Sequence, residues 1–270
     1  AWLDAMQRHG NSINVGSFIG AATIRAYANG QAQGAPTDAQ LDTMRRVTRD
    51  AMRDGAFGVA SALIYPPGSY AGTHELSAIA KAMAPYHGVY ISHVRSEGDS
   101  LLEAIDEALA IGRAGGVPVE IYHLKAAGPH SWGKAAEMVA KIDSARAAGQ
   151  DVGATMYPYT ASGNGLDACI PPWAAENGKV LANLRDPATK ARIVQEAMDS
   201  TPGKPVYCQE SGPGPIMVVG LLSTPSLAKY EGWRLDKIAE DMHESWGEAM
   251  ADIVLTSGGH NAGIVSEPGH

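Results

Sequence analysis

Between Gly55 and Thr160 one pattern repeats: a short apolar run closes in polar residues, a loop follows, and apolar residues then recur every three or four positions. The runs are GAFGVASALIY, GVYISHVR, VPVEIYHLK and DVGATMYPYT, with NVGSFIG at residues 14–20 as an earlier one. Each is rich in Val, Ile or Tyr and bounded by Gly, Pro or Asp, as strands buried in a parallel sheet tend to be. The stretches between them set Leu41, Met44 and Val47, then Leu76, Ile79 and Met83, then Leu101, Ile105 and Leu109, then Met138, Ile142 and Ala145 on one face of a helix. Thr37 with Gln40, and Ser100 with Glu103, have the capping-box spacing that satisfies the first amides of a helix.

The polar strand ends Ser61, His93, His123 and Tyr157 lie 32, 30 and 34 residues apart, the length of a βα unit. Alternating strands and helices imply an α/β fold with a parallel sheet, and near-equal units without a reversal favour a (β/α)8 barrel over an open doubly wound sheet. An open sheet uses the same units, so the period alone leaves closure undecided. After Thr160 the pattern breaks. Pro171 and Pro172, a helical stretch near Ala188–Met198 and the segment QESGPGP read as an insertion, followed by strand-like IMVVGLL and the helical spacing of Leu235, Ile238, Met242 and Ile253. The expected organisation is therefore about five βα units over 1–160, an insertion or small subdomain over 161–232, and a helical return toward the barrel over 233–270.

With 45% hydrophobic residues the chain of 270 can bury a core. A net charge of −8 without a Lys/Arg stripe argues against a nucleic-acid partner, and no apolar run is long enough to span a membrane. Compartment is left open: cytoplasmic or, if an upstream signal has been lost, periplasmic or secreted. Cys169 and Cys208 sit in no CxxC or zinc-finger spacing and are expected as buried, unpaired thiols.

Active sites of such barrels lie at the C-terminal ends of the strands. His93 in YISHVRSEGD and His123 in IYHLKAAG occupy two adjacent ends, where two imidazoles can converge on one divalent metal such as zinc. A catalytic zinc takes three protein ligands, so at least one more is needed. Lys125, two residues past His123, points the same way if the backbone stays extended, and can hold a substrate carboxylate or act as a Schiff-base lysine. Arg95 offers a second cation, or a partner for Glu97 or Asp99. Tyr157 and Tyr159, alternating with Pro158, can both face a ligand or pack in a core.

The segments GAFGVASALIYPPGSYAGTHEL, YISHVRSEGDSLLEAIDEAL, VEIYHLKAAGPHSWGKA and MYPYTASGNGL closely resemble N-acyl-D-amino-acid deacylases, the D-aminoacylases of the amidohydrolase superfamily, over roughly residues 11–173. The resemblance implies a TIM-type amidohydrolase barrel with an insertion after its seventh strand, one or two Zn2+ ions, and an N-acyl amino acid as the small-molecule substrate. It matches His93 and His123 to metal-ligand histidines on the fifth and sixth strands, and Lys125 and a tyrosine of YPY to groups that hold the substrate carboxylate. The family's HxH motif and bridging cysteine are expected before Ala1 and its catalytic aspartate beyond His270. Neither Cys169, Cys208 nor Asp252 fills those roles. The catalytic residue is thus unknown, the barrel is expected to be incomplete and to need flanking segments of the same polypeptide, and the chain alone is expected to be inactive. The rival expectations are a metal-independent barrel lyase or aldolase using Lys125, and a non-catalytic remnant.

Overall fold

The structure, a computed structural model, describes residues 2–128, 130–201, 208, 212–259 and 263–266. It divides into two compact units, one of Ala1–Arg95, Leu102–Leu124 and Glu137–Met156, the other of Ser96–Leu101, Lys125–Ala136 and Tyr157–His270. Residues 209–211, which open QESGPGP, lie outside the described residues.

The first unit holds a five-stranded sheet of β1 (Ile19–Gly20), β2 (Gly58–Ala62), β3 (Val89–His93), β4 (Val119–Ile121) and β5 (Val152–Ala154), in the order β1-β2-β3-β4-β5. Every neighbouring pair is parallel. All five apolar runs therefore become strands, and their sequential order lacks the reversal that marks a doubly wound sheet, as in part of a (β/α)8 wall. Helices Ala21–Asn29, Asp38–Arg53, Thr73–Met83, Leu101–Gly115 and Ala135–Ala147 fall between the strands. Leu41, Met44, Leu76, Ile79, Met83, Ile105 and Leu109 are all buried, as their spacing predicts. Thr37 and Gln40 cap each other's backbone reciprocally. Gly58 is needed where β2 meets β3, because a Cβ there would fall 2.0 Å from the Val89 carbonyl oxygen.

One buried ion pair fastens this unit. Arg25 and Glu75 bond to each other with side chains 0% and 2% exposed, and Arg25 also donates to the carbonyls of Ala32 (3.0 Å) and Gly34 (2.7 Å). Burial pushes the Glu75 carboxyl above the usual carboxylate range, although Arg25 beside it pulls the other way. The pair is thus costly to bury and costlier to break. Glu75→Ala is expected to lower stability by about 3–5 kcal/mol, since it strands a buried guanidinium, whereas Arg25→Met with Glu75→Leu together should cost far less. Urea unfolding of the two variants checks this, and equal losses would refute it.

The second unit carries an antiparallel sheet of β6 (Ser162–Gly165), β7 (Met217–Val219) and β8 (Gly263–Ser266) in the order β6-β8-β7. Helices Pro187–Met198, Leu235–Met242 and Trp246–Ser257 join it. Leu166, Ile193, Val218, Leu235, Ile238 and Ile253 share one core, so residues 161–232 and 233–257 contribute to the same packing. Ser245 and Glu248 form a capping box at the start of helix Trp246–Ser257.

The cysteines depart from expectation. Both are buried, but Cys169 and Cys208 form a disulfide across 39 residues. Their wide separation in sequence hides a pairing that only the fold creates. Closing a span of that length restricts the unfolded chain and is worth on the order of 3–4 kcal/mol.

Candidate functional site

His93 is the last residue of β3 and pairs in register with Ala62 of β2. His123 lies just past β4, whose ladder is extended by the bond from Tyr122 N–H to the Ser92 carbonyl at 2.9 Å. The two rings meet edge to face with centroids 4.5 Å apart, and His93 Nδ1 stands 2.7 Å from His123 Nε2. The rings are on one side of the sheet, as two ligands of one metal require. At this distance one imidazole donates a hydrogen bond to the other. Two ligands at about 2.1 Å in tetrahedral geometry stand about 3.4 Å apart, so a side-chain rotation of less than about 1 Å at the nitrogens suffices. A pair of imidazoles converging on one point is a donor set that zinc accepts, and the residues present fit the metal.

His123 adopts φ +41°, a left-handed conformation uncommon for a residue with a side chain. Thr155 holds it there: its Oγ1 accepts from the His123 N–H at 2.9 Å and its carbonyl accepts from the Leu124 N–H at 2.8 Å. Backbone strain of this kind concentrates at functional sites. It also corrects one expectation, because the backbone turns at His123 and the extended geometry that would align Lys125 with it does not persist.

The side of β3 opposite His93 is locked by hydroxyls. Ser61 Oγ lies 2.8 Å from Tyr90 Oη and donates to Ser92 Oγ at 2.9 Å, all three residues being buried. Burial pushes the Tyr90 phenol above its ordinary range, partly offset by the hydrogen bonds of Ser61 and Ser92. Tyr65, whose ring is 5.4 Å from that of His93, and Tyr122, 4.7 Å from that of His123, wall the imidazoles. Glu120 pairs in register with Ile91 and Gly153, which places it on the His93 face one pleat back. A Cβ at Gly153 would come 2.0 Å from its carboxylate, so a larger residue there would have to displace the Glu120 side chain. Burial raises the Glu120 carboxyl, with Arg146 opposing and Asp151 adding to the shift.

Arg95 is committed elsewhere. It grips Glu107 through Nε (2.8 Å) and Nη2 (3.0 Å) and donates to the carbonyls of Ser69 (3.0 Å) and Ala71 (2.7 Å). Its partner is Glu107, not Glu97 or Asp99, and its donors tie helix Leu101–Gly115 to the loop before helix Thr73–Met83. These partners engage the Arg95 guanidinium at both Nη atoms and Nε.

In the second unit Lys125 Nζ donates to Glu97 Oε1 at 2.5 Å, with side chains 12% and 5% exposed. The ammonium also lies 5.6 Å from the centre of the Tyr157 ring, close enough for a cation–π contact. Tyr157 and Tyr159 stack with centroids 6.4 Å apart and planes 26° from parallel, so the two phenols do share a side. Asp252 is paired with Lys190.

Neighbouring parallel strands of the sheet thus end in two facing imidazoles. No family model matches the chain. Curated relatives from Alcaligenes xylosoxydans xylosoxydans do: an N-acyl-D-glutamate deacylase, 37% identical over 161 residues, and a D-aminoacylase, 34% identical over 160. These alignments take in 60% and 59% of this chain and 33% of each relative, so the match spans about a third of their length. Among solved structures, the N-acyl-D-glutamate deacylase of Bordetella bronchiseptica, crystallised with zinc and a phosphonate mimic of the tetrahedral intermediate, superposes with a TM-score of 0.76 at 26% identity. All of this chain and 47% of that one are covered. A D-aminoacylase described as defining a novel subset of amidohydrolases shares the fold, with a TM-score of 0.72 at 23% identity over the whole chain and 46% of its own. The chain is thus similar in sequence, over about 160 residues, to N-acyl-D-amino-acid deacylases and shares the α/β fold of the solved deacylase structures.

Proposed function

We propose that this chain supplies two metal-ligand histidines and part of the substrate-binding surface of a zinc-dependent hydrolase acting on N-acyl-D-amino acids. The observation that carries the reading is the 2.7 Å approach of His93 Nδ1 to His123 Nε2 at neighbouring strand ends. The deacylase names of the relatives support the substrate class. Zinc, when bound, supplies Lewis acidity toward a water molecule and the acyl carbonyl. His93 and His123 hold it, with Thr155 fixing the turn that aims the second imidazole. Lys125 neutralises the substrate carboxylate and Tyr157 and Tyr159 flank it. Further ligands and the group that protonates the leaving amine come from other segments of the polypeptide.

The aldolase reading loses ground here. The Lys125 Nζ is held by the Glu97 carboxylate, a placement that suits charge pairing with a substrate rather than attack on a carbonyl. The test is amine release from N-acetyl-D-amino acids by the intact protein with and without chelator. Activity is expected to vanish on chelation, and Lys125→Met is expected to raise KM by about 10–100-fold with kcat little changed, because a carboxylate contact is equal in ground and transition states. If chelation has no effect, or if the variant loses kcat at unchanged KM with metal retained, the assignment is wrong.

A further inference from the structure

Resting on the reading of Lys125 as the carboxylate anchor, we infer that Glu97 is its positioning residue. The family resemblance assigns nothing to Glu97, and the structure singles it out in three ways. Its side chain is 5% exposed, which a carboxylate tolerates only when paired, and the Lys125 ammonium is the partner at 2.5 Å. Its own backbone is fixed, because the Glu97 carbonyl accepts from the Ala127 N–H at 2.7 Å. The segment that carries it is pinned again where Lys134 Nζ donates to the carbonyls of Asp99 (2.6 Å) and Gly98 (3.3 Å).

A lysine side chain is long and rotamer-rich, and fixing its charge in one place needs a rigid acceptor. Glu97 is such an acceptor, held by the backbone of the segment that contains the lysine it binds. The aromatic face of Tyr157 sets the ammonium from a second direction. A carboxylate ligand then meets a cation already in place, and the ordering of the lysine is complete before binding. In this role Glu97 acts through Lys125.

Calorimetric binding to the intact, zinc-loaded protein that contains this chain tests this, with N-acetyl-D-alanine and its carboxamide as probes. The ratio of their dissociation constants isolates the carboxylate contact. In the unaltered chain the acid is expected to bind at least tenfold tighter than the amide, and Lys125→Met should abolish that preference. Glu97→Ala should lower it about tenfold without changing affinity for the amide, and on the Lys125→Met background it should do nothing. Glu97→Gln, which keeps the shape and an acceptor oxygen, should stay within about threefold of the unaltered chain, and its melting curve guards against misfolding. An acid preference that Lys125→Met removes but Glu97→Ala leaves intact would overturn the role of Glu97 alone. A rise of the preference in both Glu97 variants would also overturn it, making Glu97 a competitor of the ligand. No acid preference in the unaltered chain would instead bring down the anchor reading, and this inference with it.

Discussion

His123→Ala in the intact protein is expected to empty the metal site and lower turnover at least a thousandfold. Metal polarisation is worth several kcal/mol of barrier, and about 4 kcal/mol is roughly a factor of a thousand. The loss should differ in kind from that of Lys125→Met, which weakens capture and leaves the metal in place. Metal content by atomic emission, measured beside amine release and far-ultraviolet dichroism, separates the two. A His123→Ala protein that retains its full metal content and activity would remove His123 from the ligand set.

The 270 residues made alone and supplied with zinc are expected to release amine at less than about a thousandth of the intact protein's rate. Two imidazoles fall short of the three protein ligands of a catalytic zinc. Among the described residues β1 and β5 are the edges of the five-stranded sheet, and open strand edges with unpaired amides invite association between molecules. Poor solubility should therefore accompany the low rate, and light scattering would register it. Chelator-reversible turnover by this chain at a rate comparable to the intact protein would show that no further segment is needed.

Much of the first unit was legible because strand and helix periods alternate cleanly there. GVASA, VYISH, VEI and VGA become strands, as do the last two residues of NVGSFIG, and His93 and His123 stand out because each closes an apolar run. The supporting partners were not legible, since each is set by tertiary contact. Nothing near Thr155 marks it as the acceptor for His123, 32 residues earlier in the chain. The clasp of Arg95 on Glu107 crosses from a strand end to a helix face, and nearer acidic residues were the natural guess. Cys169 and Cys208 are joined by folding, not by spacing. A division of the chain by linear cuts also cannot express units in which residues 96–101 and 125–136 group with the C-terminal half.

The left-handed backbone at His123 sets what evolution could do with this position. Thr155 holds the turn through the backbone N–H, which any residue but proline supplies, so a descendant that abandoned its metal would lose the need for histidine but keep the need for a residue at ease with φ +41°. Glycine and asparagine meet that need, whereas alanine or a β-branched residue carries roughly 1–2 kcal/mol of conformational strain. Among proteins that share this strand end, Gly or Asn in place of His123 would therefore be the mark of a retired metal site in a fold that survived its loss.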